Sequence, residues 1–209
     1  MTDDVDGRVR RGQESREARR VQIKATALAV FSDKGYHETS VSDLVDAAGV
    51  ARGTFYLYFD SKEAIFLELL DDLTVHLRSN IVGVDVTRGV ASMGDQLHAV
   101  VVRILRAVVD NRPLTRIIFR EAVGLHATVD ARLRAFDDEL HGYVARSLQL
   151  GAALGVIRPV DPQVAAAAVV GSVREIVHRY VVRADAPFDP DAVARALLDH
   201  HLRGLLVDR

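Results

Sequence analysis

The chain contains no cysteine, and that one absence removes a disulfide scaffold, a cysteine-ligated zinc site and a thiol nucleophile together. It also lacks any uninterrupted apolar run of membrane-spanning length, so a soluble protein is expected although 49% of the residues are hydrophobic. The opening Met-Thr-Asp-Asp-Val-Asp-Gly is acidic and carries no apolar signal region, which predicts a cytoplasmic protein. Catalytic signatures are missing too: there is no His-Glu-x-x-His, no Gly-x-Ser-x-Gly, no Walker-type glycine-lysine loop and no dinucleotide fingerprint after a strand. An enzyme is therefore not expected, and no cofactor is implied. Sustained strand alternation and internal repeats are also lacking, so helical spacing throughout the 209 residues predicts an all-α chain with a real core.

Positive charge is lacking overall, since the formal net charge is −2, which by itself argues against nucleic acid. Its distribution argues the other way. Between Arg8 and Lys24 seven bases (Arg8, Arg10, Arg11, Arg16, Arg19, Arg20, Lys24) face only Glu14 and Glu17. Such an arm can track a phosphate backbone or enter a minor groove, or it can be a disordered solubilising tail. We place a disordered basic arm at 1–15.

What is present centres on residues 39–62. Val41, Leu44, Val45 and Ala48 form one apolar stripe on a short helix. Ser40 is its N-cap, Asp43 completes a capping box, and Gly49 supplies the left-handed residue that ends the helix at about Ala48. A second short helix, about Ala51 to Phe59, turns Phe55 and Phe59 inward. Arg52, Thr54, Tyr56 and Tyr58 are left pointing elsewhere, with groups that donate to phosphates and base edges. Gly53 costs helix propensity, which suggests a close approach to the backbone by something such as DNA. Asp60 or Ser61 caps the next helix, with Lys62 in its first turn beside free backbone amides. This is the layout of a DNA-reading helix-turn-helix. Taken singly these residues also have bland readings: Tyr56 and Tyr58 as surface aromatics, Arg52 as a solvated charge and Gly53 as a neutral fault.

The combination resembles the TetR/AcrR family of bacterial transcriptional regulators. The matching residues are Phe31-x-x-x-Gly35-Tyr36, Thr39-Ser40, Ala47-Ala48-Gly49-Val50 and Gly53-Thr54-Phe55-Tyr56-x-Tyr58-Phe59-x-Ser61-Lys62-Glu63. The resemblance is specific over about Arg20 to Leu70 and rests on helix layout beyond it. It implies a homodimeric, ligand-responsive repressor that binds a palindromic operator and is released by a small, mostly hydrophobic effector. Because helix-turn-helix proteins read with the front of the second helix, Arg52, Gly53 and Thr54 are the base-contact candidates. Thr39, Ser40, Ser42, Tyr56, Tyr58 and Lys62 are the phosphate candidates by position in the family pattern. Two departures leave base choice open: Arg52 where many relatives carry lysine, and Leu57 where histidine often precedes the second aromatic.

Helical spacing predicts about nine helices: a first from about Arg16 to Lys34, the reading pair, and a long fourth from Ser61 to about Ile81. A loop then spans Gly83 to Gly89. Further helices follow at about Ser92 to Asn111, from Pro113 to near Gly124 (including Val123), at about Val129 to Ala153, from Asp161-Pro162 to about Arg183, and from Asp191 onward. Residues 16–62 are read as the DNA-binding domain and 63–209 as the effector-binding and dimerisation domain. The long fourth helix is expected to pass effector-induced shifts to the reading helices. Small residues on the eighth helix and apolar ones on the ninth make Ala167, Ala168, Gly171, Leu198, Leu202 and Leu205 the dimer-interface candidates, as the resemblance implies; the other reading is closure of the monomer's own core. Polar groups amid apolar faces make Phe119, Arg120, Glu121, Arg174, Glu175 and His178 the effector-pocket candidates, with surface ion pairs as their alternative. Glu175-Ile-Val-His178 is also a single Glu-x-x-His, of which a di-iron bundle needs two together with further glutamates. A constitutive architectural DNA-binder without effector is a third reading.

Overall fold

Ser40 opens a short helix because its hydroxyl accepts from the Asp43 amide while the Asp43 carboxylate accepts from the Ser40 amide, the reciprocal pairing expected of this tetrapeptide. In the computed structural model, which describes residues 3–85, 92–121, 126–184 and 187–205, that helix is α2 (Val41–Ala48), and Gly49 ends it at φ 62°. It lies between α1 (Asp3–Lys34) and α3 (Arg52–Tyr56), and α4 (Lys62–Ser79) follows. By its internal contacts the chain divides into two units, Met1–Asp72 and Leu73–Arg209. The expected boundary at residue 62 moves to 72 because the first half of α4 belongs to the head's core.

The first unit is built around Ile23, Ala27 and Phe31 of α1, Leu44 and Ala48 of α2, Phe55 and Phe59, and Ile65, Phe66, Leu69 and Leu70 of α4, all buried. Tyr36, just after α1, packs its ring 5.0 Å from Phe31 and 5.1 Å from Phe66. Burial, with the Glu63 carboxylate adding to it, pushes the Tyr36 phenol up to about 12, so it stays protonated. One expectation is corrected here: no disordered arm fills residues 3–15, where α1 already runs from Asp3. Arginine, glutamate and glutamine are good helix formers, and no proline interrupts the stretch. A second correction concerns α3, which has five residues where nine were expected. Its end tightens, with the Leu57 amide on the Thr54 carbonyl and the Tyr58 and Phe59 amides both on Phe55. That tightening lets Phe59 follow Phe55 into the core, ring centroids 6.3 Å apart.

The second unit contains α5 (Met93–Asp110), α6 (Arg112–Glu121), α7 (Ala127–Ala153), α8 (Pro162–Ile176) and α9 (Pro190–Leu205). Its core joins Val102, Leu105 and Val108 of α5 to Val177 and Val181 and to Ala194 of α9. Asp161 caps α8 ahead of Pro162, and Asp189 does the same for α9 ahead of Pro190, one turn-residue earlier than the expected start at Asp191. The eighth helix does not remain α-helical to Arg183: Val177–Arg183 forms a π-helical segment. Wider winding brings Val177, Val181 and Val182 to the buried side. Arg120 of α6 donates to the Val182 carbonyl at 3.2 Å and Arg112 to the Ala184 carbonyl at 3.4 Å, meeting acceptors near the segment's end. The expected loop to Gly89 and the end of the sixth helix near Gly124 lie partly outside the described residues. Among the described residues there is no strand, and no helix is long and apolar enough to cross a membrane.

Candidate nucleic-acid interface

The reading pair is held from three sides within the first unit. From α1, Lys34 Nζ reaches Asp43 Oδ2 at 2.8 Å across the α1–α2 turn. That contact comes first, and the Ser40 hydroxyl and amide after it, in holding the Asp43 carboxyl well below the usual carboxylate range. The Arg20 guanidinium lies 4.6 Å over the Phe59 ring, donates to the Tyr58 carbonyl at 3.1 Å and pairs with Glu68 of α4. Lys24 pairs with Asp72 at 2.5 Å. Two of the seven bases counted toward a basic arm are therefore committed inside the head.

The third hold is Lys62. Its ammonium has three protons, and three backbone carbonyls receive them: Tyr36 at 2.8 Å, His37 at 3.2 Å and Thr39 at 2.7 Å. The same nitrogen lies 4.6 Å over the Tyr36 ring. Lys62 is thus a clasp between α4 and the α1–α2 connection, a role its reading as a phosphate candidate did not include. Thr39, another phosphate candidate, is 2% exposed and its hydroxyl donates to the Gly35 carbonyl at 2.6 Å. Ser40 is exposed but its hydroxyl serves the capping box.

What remains outward is a compact polar patch. Arg52 is exposed with Nη1 3.5 Å from the Ser42 hydroxyl, so the base candidate and one phosphate candidate stand side by side. Tyr56 is 44% exposed, and Tyr58 and Thr54 are half-buried. Ser61 provides the cap at the head of α4, its hydroxyl accepting from the Ala64 amide. Gly53 is exposed, has no positive φ, and a Cβ built on it meets nothing within 4 Å. Nothing inside the chain requires a glycine there. Gly53→Ala is therefore expected to stabilise the head by about 0.5–1 kcal/mol, seen as a higher melting temperature, while weakening DNA binding measured by fluorescence anisotropy. A gain in both would remove the close-approach role of Gly53. Leu57, 72% exposed beside Tyr56, was marked in the sequence only as a departure from pattern.

In the second unit the effector candidates lie on α6, α8 and the π-helical segment after it. Phe119 and His178 stack with ring planes 7° apart and centroids at 5.9 Å. Arg120 is exposed and supports the Val182 carbonyl, and Glu121 is half-buried at the end of α6. Arg174 pairs with Asp137 of α7, and Glu175 pairs with Arg179 at 2.9 Å. The ion-pair alternative is thus the one met by Arg174 and Glu175, both exposed. Arg179 first, and His178 after it, lower the Glu175 carboxyl from its ordinary value. Glu175 Oε2 stands 3.7 Å from His178 Nδ1, while its other oxygen, Oε1, accepts from Arg179. Among the described residues no group of three or more His, Cys, Asp or Glu gathers. Of the dimer candidates, Ala167, Ala168 and Gly171 are exposed on α8 in line with Val164, while Leu198 and Leu202 are half-buried. The Leu205 side chain lies outside the described residues. Ser172 of α8 and His201 of α9 meet at 2.8 Å beside that row.

Residues 23–69 match the family described as bacterial regulatory proteins, tetR family, and residues 90–205 match the tetracyclin repressor-like C-terminal domain. The uncharacterised HTH-type transcriptional regulator YvdT of Bacillus subtilis is 44% identical over 62 residues, covering 30% of this chain. That match spans 32% of the length of YvdT, about a third. The fatty acid metabolism regulator protein of Bacillus subtilis is 24% identical over 193 residues, 88% of this chain and 94% of its own. Among solved structures, the regulator PfmR from Thermus thermophilus superposes with a TM-score of 0.68 at 27% identity, covering 90% of this chain and 99% of PfmR.

Proposed function

Given that the chain belongs to the TetR family of bacterial regulatory proteins, we propose that it is a cytoplasmic, homodimeric repressor. It binds a palindromic operator and leaves it when a small, mostly hydrophobic effector binds. The observation that carries this reading is the outward patch of Arg52, Ser42 and Tyr56, held rigid by Phe55 and Phe59 beneath it and by the Lys62 clasp beside it. A guanidinium on a short exposed helix can pair bidentately with guanine O6 and N7, and neighbouring hydroxyls suit phosphate oxygens. The exposed row of Val164, Ala167, Ala168 and Gly171 supports pairing of two copies along α8, which sets two heads on successive half-sites. Phe119 with His178 is the pair retained for effector contact, an aromatic face with one polar handle. The full-length Bacillus relative regulates fatty acid metabolism, which makes acyl compounds the first class to test. No catalytic role is proposed.

The test is selection of bound DNA from a random pool by the wild type and by Arg52→Ala. The wild type is expected to return two inverted half-sites about 34–36 Å apart, or a multiple of that. Arg52→Ala is expected to cost about 1–3 kcal/mol and to relax choice at one position of each half-site. Equal loss on every sequence would remove the base-reading role of Arg52. Release is proposed to pass through α4, so an acyl compound that frees the operator should change the distance between spin labels on the two α3 helices. Release at an unchanged distance would discard that route.

A further inference from the structure

We infer that Leu57 determines specificity in the reading helix by seating its side chain against the 5-methyl group of a thymine in the major groove. The inference rests on the DNA-reading role proposed above. Phe55 anchors α3 and is fully buried. A helix turns about 100° per residue, so positions two before and two after Phe55 stand about 160° round from it and face most directly outward. Those positions are Gly53 and Leu57. Leu57 lies in the tightened turn that ends α3 and keeps right-handed helical angles, φ −73° and ψ −17°, so its side chain stands roughly 120–160° round from Phe55, still on the outward side.

The two ends of this outward line differ in a telling way. At Gly53 there is no side chain, and the space a Cβ would fill is open. One turn later comes the most exposed large hydrophobic residue among those described, at 72%. If Gly53 lets the backbone settle into a groove, Leu57 is carried to the level of the bases rather than to the phosphate rim. Polar contacts come from the flanks, with Arg52, Ser42 and Tyr56 on one side and Thr54 on the other. A leucine offers neither donor nor acceptor and gives nothing to a phosphate. The apolar feature that base pairs present in the major groove is the thymine methyl.

The experiment takes the operator selected by the wild type and replaces its thymines one at a time with deoxyuridine, which removes the methyl and keeps the hydrogen-bonding edge. Binding of the wild type and of Leu57→Ala is measured by fluorescence anisotropy, with unchanged melting temperature confirming that this exposed position leaves the fold intact. At one thymine of each half-site the wild-type Kd is expected to rise about fourfold, the value of one buried methyl. Leu57→Ala is expected to bind both forms alike there. The assignment is overturned if no thymine methyl matters to the wild type, or if Leu57→Ala stays equally sensitive at the same thymine. A wild type that selects no DNA at all removes the reading role itself, and this inference with it.

Discussion

Lys62→Met is expected to weaken operator binding by roughly ten- to a hundredfold while leaving the salt dependence of that binding unchanged. The two halves of this result come from one geometry. Methionine keeps the stem of the side chain but deletes three charge-assisted hydrogen bonds to the carbonyls of Tyr36, His37 and Thr39. Each is worth about 1.5–3 kcal/mol when shielded from water, and partial exposure reduces the sum to roughly 2–3 kcal/mol. The Thr39 carbonyl directly precedes the Ser40 cap, so loosening it lets the start of α2 drift and the reading helix with it. A phosphate-contacting lysine behaves differently. Its loss releases one fewer counterion and lowers the slope of log affinity against log salt by about one. Titrating binding of both proteins across salt concentrations decides between the roles: a slope reduced by about one would return Lys62 to the phosphate contacts, and an unchanged slope with lost affinity keeps it as the clasp.

Phe55→Ala has the largest expected cost, about 3–5 kcal/mol. The ring is fully buried, meets Tyr56 edge-on at 5.6 Å and lies 6.3 Å from Phe59. A unit of this size buries only a modest fraction of its chain, so a loss of that magnitude is a large part of its total stability. Thermal unfolding followed by circular dichroism should show the head's transition falling by well over ten degrees, or vanishing, while a second transition from residues 73–209 persists. DNA binding should disappear in parallel. A single transition shifted by only a degree or two would mean that α3 is not anchored through this ring.

How legible these features are in the chain depends on how far apart their partners lie. The caps of α2 are legible to the residue because they join Ser40 to Asp43 and Gly49 to the turn just before it. The inward turn of Phe55 and Phe59 is legible from spacing. The length of α3 is not, because it is decided by where Phe59 must go. Lys62 reads as a free cation beside a helix start, and only the folded chain brings it to carbonyls on the far side of α2 and α3. The same distance hides Arg20 on Phe59 and Glu68. The π-helical run after Ile176 is hidden for another reason: α and π registers both bury valines there, and arginines of α6 take the carbonyls near its end. Arg174 and Glu175 read only as polar groups on an apolar run, and the folded chain sets Asp137 and Arg179 beside them. Leu57 was visible as an anomaly, but what it faces depends on Gly53 having open space.

The pairing of Arg20 with Glu68 and of Lys24 with Asp72 has a consequence for anyone surveying this protein by saturation mutagenesis with a reporter gene. If the chain represses as proposed above, substitutions at Arg20 and Lys24 are expected to derepress the reporter as losses at Arg52 would, yet through less folded protein in the cell rather than through a missed base. A parallel readout of protein abundance would separate them, and basic residues that fail in both assays would mark struts of the head rather than points of contact with the promoter.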